Sequence, residues 1–92
     1  MLGVDRAMRY LPILVDLAGR ACLVVGAGAI AARKVEQLLA AGARVTVVAT
    51  RIGTRVTELA AATPSVRVEQ RAYRPEDLDG VALAFAATDD PA

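Results

Sequence analysis

Apolar runs and amphipathic stretches alternate along this chain in the order expected for a parallel α/β sheet. Residues 21–25 contain no polar side chain, which predicts a strand that is covered on both faces. Residues 44–49 are rich in β-branched side chains and predict a second strand. Residues 66–70 alternate apolar and charged positions, as a half-exposed strand does, and the apolar run at 81–87 predicts a fourth, buried strand.

Two helices are predicted between the strands. Apolar residues at 29–41 recur at i, i+4, i+7 and i+8, which gives one apolar stripe, and Gly42 stands where a left-handed residue ends a helix. Residues 54–63 predict a second helix that Pro64 ends. The residues expected to face the core are Ala31, Val35, Leu38 and Leu39 in the first helix, with Ile52, Val56 and Leu59 for the second.

Shorter features complete the pattern. Residues 10–17 predict an edge strand or a packed arm, with Pro12 near its start. Pro75 predicts a single helical turn, anchored by Leu78 and closed by Gly80. At the end of the sequence, a polar cap at 88–90 followed by proline is how a helix begins.

This order of elements predicts a Rossmann-like, doubly wound parallel sheet in three α/β/α layers. Right-handed βαβ crossovers give the strand order 3-2-1-4. We expect residues 1–92 to form a single domain, since this length leaves no room for a second one. The sequence stops shortly after the start of the helix predicted from the polar cap at 88–90. We therefore expect the domain to be incomplete at its C-terminus, after the fourth core strand.

Composition and charge exclude several classes of function. The net charge of +1 gives no electrostatic reason to expect nucleic acid or an anionic membrane as a partner. The chain has no histidine, which excludes Ser-His-Asp catalysis and histidine metal sites within it. Its single cysteine, Cys22, is expected to be a buried small hydrophobe. No apolar run reaches the roughly 18 residues of a membrane span, so we expect a cytoplasmic protein.

One motif carries chemistry, the glycine loop between the first strand and the first helix. Gly26 permits a tight turn, Gly28 lets a pyrophosphate approach the backbone, and Ala31 allows close packing of helix on strand. The N–H groups of the first helical turn, around Ala29 and Ile30, would face the phosphates. The motif therefore predicts that the domain at 1–92 binds a dinucleotide. The alternative is that the two glycines only allow a tight turn.

The acidic residue that usually follows the second strand of such a site is missing. An Asp or Glu normally holds the ribose hydroxyls there, whereas this chain has Thr50 and Arg51. Arg51 could bind a 2′-phosphate, which would favour NADP. Thr50 and the local backbone could instead bind the ribose of NAD, or Arg51 could be a solvated loop residue.

Five segments resemble the precorrin-2 dehydrogenase family, the N-terminal module of siroheme synthases. They are YLPILVDL at 10–17, LVVGAGAIAARK at 23–34, AGARVTVVA at 41–49, YRPEDL at 73–78 and AATDD at 86–90. The combination spans roughly residues 10–91 and is far more specific than the glycine loop alone. Where family members often have glycine, this chain has Ala27, whose methyl group we expect to be tolerated.

The resemblance implies NAD-dependent oxidation of precorrin-2 to sirohydrochlorin, by a homodimer that in some members also inserts ferrous iron. It places Ala29 and Ile30 against the cofactor, Thr50 and Arg51 beside its adenosine end, and Thr88 and Asp89 near its nicotinamide half. It therefore favours NAD. The family's catalytic aspartate lies on a later strand, so no catalytic residue and no metal ligand is assigned in this chain, and we expect the chain alone to be inactive.

The sequence also fits other interpretations. The chain could be a non-catalytic module that senses nucleotides, or part of an NADP-dependent reductase with another substrate. Asp89 and Asp90 fit a helix cap better than an acid–base pair. Arg33 and Lys34 could add positive potential near the phosphates or form a solvated helix face, and Tyr73 is expected to pack against other residues.

Overall fold

Within the described residues, four parallel strands form one sheet. The structure is a computed structural model that describes residues 16–87. The sheet has the order β3-β2-β1-β4, which confirms the predicted 3-2-1-4 arrangement. The strands are β1 (Ala21–Val25), β2 (Arg44–Ala49), β3 (Val66–Gln70) and β4 (Leu83–Ala86). Because all of the pairings are parallel, the carboxyl ends of the four strands meet at one edge.

Two α-helices cover one face of this sheet. The first helix, α1 (Ala29–Ala40), contacts β1 and β2, and the second, α2 (Thr54–Ala62), contacts β3. The helices also contact each other, so in the described part of the chain they form one layer. Gly42 ends α1 with a φ of 83°, and the following Ala43 N–H donates to the Leu38 carbonyl at 3.1 Å, as the left-handed stop predicts.

Small and branched apolar side chains fill the core between the helices and the sheet. Val35 of α1, Val47 of β2 and Val56 of α2 are fully buried, and Cys22 is 1% exposed, as predicted. Ala31 is also fully buried, so the backbone of α1 can lie close to the sheet. Ile52 and Leu59 are partly buried against this core, which confirms the predicted inner face of α2.

The structure corrects several boundaries. The first helix ends at Ala40, and Ala41 is its cap; the second ends at Ala62, and Thr63 is extended. Strand β4 begins at Leu83 rather than at 81, because the Val81 N–H still donates to the preceding turn. The predicted arm at 10–17 lies outside the described residues except for its last two positions.

Two side chains differ from their predicted roles near the 3₁₀ turn Pro75–Leu78. Leu78 was expected to anchor this turn but is 47% exposed, and Tyr73 was expected to pack but is 42% exposed. The turn is held by polar contacts instead. Asp77 accepts hydrogen bonds from Arg71 and from the Arg74 N–H, which makes an apolar anchor unnecessary.

Candidate functional site

A cleft of about 670 Å³ lies at the edge of the sheet where the strands end. This volume is within the range of pockets that bind small molecules and cofactors. The position also follows the rule that ligands of open α/β sheets bind outside the carboxyl ends of the strands. The cleft is lined by residues from four chain segments: Val25–Gly28, Val48–Gly53, Arg71–Tyr73 and Ala86.

The glycine loop forms the centre of the cleft. Gly26 has a φ of 117°, which a residue with a Cβ rarely adopts, and its N–H donates to the Val48 carbonyl at 2.9 Å. Gly28 is the N-cap residue of α1, and its carbonyl accepts the Ala32 N–H at 3.0 Å. As a glycine, this N-cap residue has no side chain that could accept a hydrogen bond from the helix, and the first turn of α1 has no acidic residue. The positive end of the α1 dipole is therefore not compensated by a carboxylate of the first turn.

A second loop approaches the glycine loop backbone to backbone. The Gly53 N–H donates to the Ala27 carbonyl at 3.0 Å. A Cβ placed on Gly53 would lie 2.5 Å from the same carbonyl oxygen, so only glycine fits without movement. Gly53 was not predicted as a site residue; its signal in the sequence was a glycine directly before a helix.

Thr50 and Arg51 lie at the end of β2, exposed on the wall of the cleft. The Thr50 carbonyl accepts a hydrogen bond from Gln70 Nε2 at 3.3 Å, which ties this loop to the end of β3. No carboxylate lines the cleft within the described residues. Arg51 makes no ion pair within residues 16–87, so its charge is not compensated by a described carboxylate.

The loop after β3 forms the far wall of the cleft, and the sequence did not point to it as part of the site. Its cleft-lining residues are Arg71, Ala72 and Tyr73. Arg71 is bound by the Asp77 carboxylate, with Nη2–Oδ1 at 2.6 Å and Nη1–Oδ2 at 2.9 Å. The Arg71 guanidinium and the Arg74 N–H lower the pKa of Asp77 to about 2. The positive charge of Arg71 is thus compensated by a carboxylate, whereas that of Arg51 is not compensated by a described one.

The structure brings together four of the predicted site residues. Gly26, Gly28, Thr50 and Arg51 all line the cleft. Ala29 and Ile30 begin α1 directly beside it and are exposed, although they are not among its lining residues. The remaining two, Thr88 and Asp89, lie outside the described residues.

The basic pair on α1 does not belong to the cleft. Lys34 lies with its Nζ 4.7 Å from the centroid of the Phe85 ring, a cation–π contact with β4. Arg33 is exposed on the helix. Neither side chain lines the cleft, so the interpretation that they extend the phosphate site is not supported by the geometry.

The arrangement can bind an elongated anionic ligand. A helix N-terminus and a glycine backbone are suited to phosphate oxygens, and the flanking loops offer an uncompensated cation and an apolar wall. Within residues 16–87, no cluster of three or more His, Cys, Asp or Glu side chains could hold a metal ion. In the same range, no helix is both long and apolar enough to cross a membrane.

Comparison with known proteins places this chain in a family. Residues 13–92 match a family described as "Putative NAD(P)-binding". Curated relatives include the siroheme synthases of Nitrosomonas europaea and Stutzerimonas stutzeri, which are 42% and 47% identical to this chain over 83 residues. Each match covers 90% of this chain but 18% of the relative, so the chain spans less than a fifth of their length.

The fold is similar to that of a solved structure, SirC, precorrin-2 dehydrogenase. The TM-score is 0.77 with 38% sequence identity, over 86% of this chain and 39% of SirC. The likeness therefore covers most of this chain, and it extends over less than half of SirC.

Proposed function

The chain belongs to the NAD(P)-binding family that matches residues 13–92, and from this premise we propose that it is the NAD-binding part of a precorrin-2 dehydrogenase. The single observation that carries the proposal is the backbone cradle at the cleft, formed by the glycine loop and the N-terminus of α1 that follows it. The relatives and SirC support the choice of reaction.

The residues of the cleft fit a dinucleotide. Gly26 and Gly28 leave the backbone open to the pyrophosphate, and the first turn of α1, at Ala29 and Ile30, adds the positive end of the helix dipole. Thr50 and the loop after β2 would hold the adenosine ribose. We also propose that Thr88 and Asp89 border the nicotinamide half, because they follow the end of β4 in sequence.

NAD is proposed over NADP. The family resemblance favours NAD despite the missing acidic residue after β2. One observation favours the alternative: Arg51 is exposed at the cleft without an ion partner in the described part of the chain, and such a side chain can bind a 2′-phosphate. The ratio of the dissociation constants for the two cofactors decides between them.

In the whole protein, precorrin-2 would lose a hydride and a proton to give sirohydrochlorin, and NAD+ would accept the hydride. This chain would bind and orient the cofactor, and the resemblance assigns the catalytic aspartate to a later strand. We also propose a cytoplasmic homodimer, with insertion of ferrous iron as a second activity of the whole protein. The family resemblance supports the homodimer and the insertion of iron, and the lack of a long apolar run in the sequence supports the cytoplasmic location.

A chimera tests the proposal. This chain is substituted for the matching segment of SirC, and the oxidation of precorrin-2 is followed with NAD and with NADP. Circular dichroism confirms that the chimera is folded, and Gly28→Val in the chimera is the matched control, since a side chain there would block the phosphates. We expect NAD-dependent turnover that the control lacks.

Three outcomes of this experiment contradict the proposal in different ways. A folded chimera that binds NAD but does not oxidise precorrin-2 overturns the choice of reaction and favours a nucleotide-sensing module. Turnover with NADP alone overturns the choice of cofactor. No binding of either dinucleotide, by the chimera or by this chain, overturns the assignment of the cleft.

A further inference from the structure

We propose that Asp77 is a positioning residue, which acts through Arg71 to fix the wall of the cleft that receives the adenosine half of the dinucleotide. The inference rests on the proposed function and deepens it. The sheet order β3-β2-β1-β4 puts the loops after β2 and β3 on one side of the glycine loop. That is the side on which this fold binds the adenosine ribose, so the loop after β3 belongs to the adenosine end.

Asp77 holds Arg71 by a two-point contact. The distances are 2.6 Å from Nη2 to Oδ1 and 2.9 Å from Nη1 to Oδ2, and the Asp77 side chain is only 8% exposed. A carboxylate that binds both terminal nitrogens fixes the plane of the guanidinium as well as its distance. Oδ2 also accepts the Arg74 N–H at 2.9 Å, so the carboxylate is itself fixed to the 3₁₀ turn.

Arg71 connects Asp77 to the wall of the cleft. Its Nη1 also donates to the Ala72 carbonyl at 3.1 Å, and both residues line the cleft beside Tyr73. Without Asp77, the loop would keep the Ala72 contact but would lose the contact that joins it to the turn. We therefore expect Ala72 and Tyr73 to sample more conformations, and the ligand would have to order them when it binds.

The same contact decides which arginine of the cleft is available to an anion. The charge of Arg71 is compensated by Asp77 and by Glu69, whose Oε1 lies 3.7 Å from the Arg71 Nε. Arg51, in contrast, has no ion partner within residues 16–87. Neither Arg71 nor Asp77 belongs to the hydrophobic core, so the contact stabilises the loop rather than the packing of the sheet.

The test compares two ion pairs of similar length in the full chain. Asp77→Asn removes the charge of the pair at the cleft, and Arg71→Lys keeps the charge but removes the two-point contact. Glu36→Gln is the matched control, because Glu36 binds Arg55 at 2.6 Å between the two helices and does not line the cleft. Affinity is measured by titration with 1,N6-etheno-NAD, whose adenine fluorescence also reports the environment of the bound base.

We expect Asp77→Asn and Arg71→Lys each to weaken binding about five- to tenfold, the lower part of the range for coupling between sites. The fluorescence of the bound etheno-adenine should change in both variants and stay unchanged in Glu36→Gln. The affinity of the double variant for etheno-NAD should be no lower than that of the single variant with the lower affinity, because the two residues act on the loop as one unit.

The inference is overturned if both single variants, folded by circular dichroism, bind with the affinity and bound fluorescence of the original chain. It is also overturned if the two losses add in the double variant, since independent effects do not need a contact between the residues. Failure of the original chain to bind NAD or NADP would contradict the proposed function instead, so the two failures are distinguishable.

Discussion

Replacing Gly53 with alanine tests whether the cleft depends on the close approach of two loops. The added Cβ would lie 2.5 Å from the Ala27 carbonyl oxygen, whereas ordinary contact begins at 3.4 Å. The loops would have to separate by roughly 0.9 Å, the difference between these two distances. Gly53 has a φ of −71°, which alanine adopts freely, so the effect of the substitution comes from the contact and not from the backbone angle.

The magnitude follows from three contributions. Overpacking of this kind costs about 1–3 kcal/mol. Separation also weakens the 3.0 Å hydrogen bond from the Gly53 N–H to the Ala27 carbonyl, and a hydrogen bond of this type contributes about 1 kcal/mol. Alanine restricts the unfolded chain and returns about 0.4–1 kcal/mol. We therefore expect a loss of about 1–3 kcal/mol in the free energy of unfolding, the net range of these terms.

Urea denaturation and calorimetric titration with NAD measure the two consequences of Gly53→Ala. The denaturation midpoint should fall by about 0.5–1.5 M, for a slope of about 2 kcal/mol per M, and binding should weaken because the Ala27–Gly28 backbone moves. Gly19→Ala is the control: its φ of +72° makes alanine unfavourable, but nothing lies within 4 Å of the added Cβ. Gly19→Ala should lower stability without changing affinity. Unchanged stability and affinity in Gly53→Ala would show that the cleft does not depend on the close approach of the two loops.

Three further predictions follow from the same structure. Arg51→Ala should weaken binding of NADP several-fold more than binding of NAD, because Arg51 is the cleft arginine without a described ion partner; equal changes in the two dissociation constants would contradict this. Cys22→Ser should lower the free energy of unfolding by about 1–3 kcal/mol, since a hydroxyl would be buried in an apolar strand, and urea denaturation checks this. Asp77 has a pKa lowered to about 2, below its usual 3.8, so its contribution to stability is present above about pH 4 and is lost as the pH falls towards 2. The difference between the denaturation midpoints of the original chain and Asp77→Asn should therefore shrink over that interval, and a constant difference would contradict the assignment.

The strands in the middle of the sheet could be predicted to the residue because their patterns reflect burial. The apolar run at 21–25 and the β-branched run at 44–49 lie next to each other in the sheet. Strand β4, which lies at the edge of the described part of the sheet, was predicted too long, since the apolar pattern alone cannot show that the Val81 N–H is already bonded within the preceding turn. The neighbouring Leu78 was misassigned for a related reason: the turn is held by charged side chains, so its leucine is free to be exposed.

The cleft was predictable on one side only. Gly26 and Gly28 belong to a local motif whose geometry needs glycine, and Thr50 follows β2 at the expected spacing. The far wall depends on the two-point contact between Arg71 and Asp77, which forms only after β3 and the 3₁₀ turn are in place. No sequence spacing signals a pair of this kind. The approach of Gly53 to Ala27 is likewise a tertiary contact.

We propose that the cleft at the carboxyl edge of the sheet binds NAD through backbone groups. A titration of the ¹⁵N-labelled chain with NAD, followed by amide chemical shifts, tests it most directly. We expect saturable shifts at Gly26, Gly28, Thr50 and Gly53, with much smaller shifts at Gly19 and Gly42 at the opposite edge. No saturable shift at the cleft, or shifts confined to residues away from it, would show that NAD does not bind there.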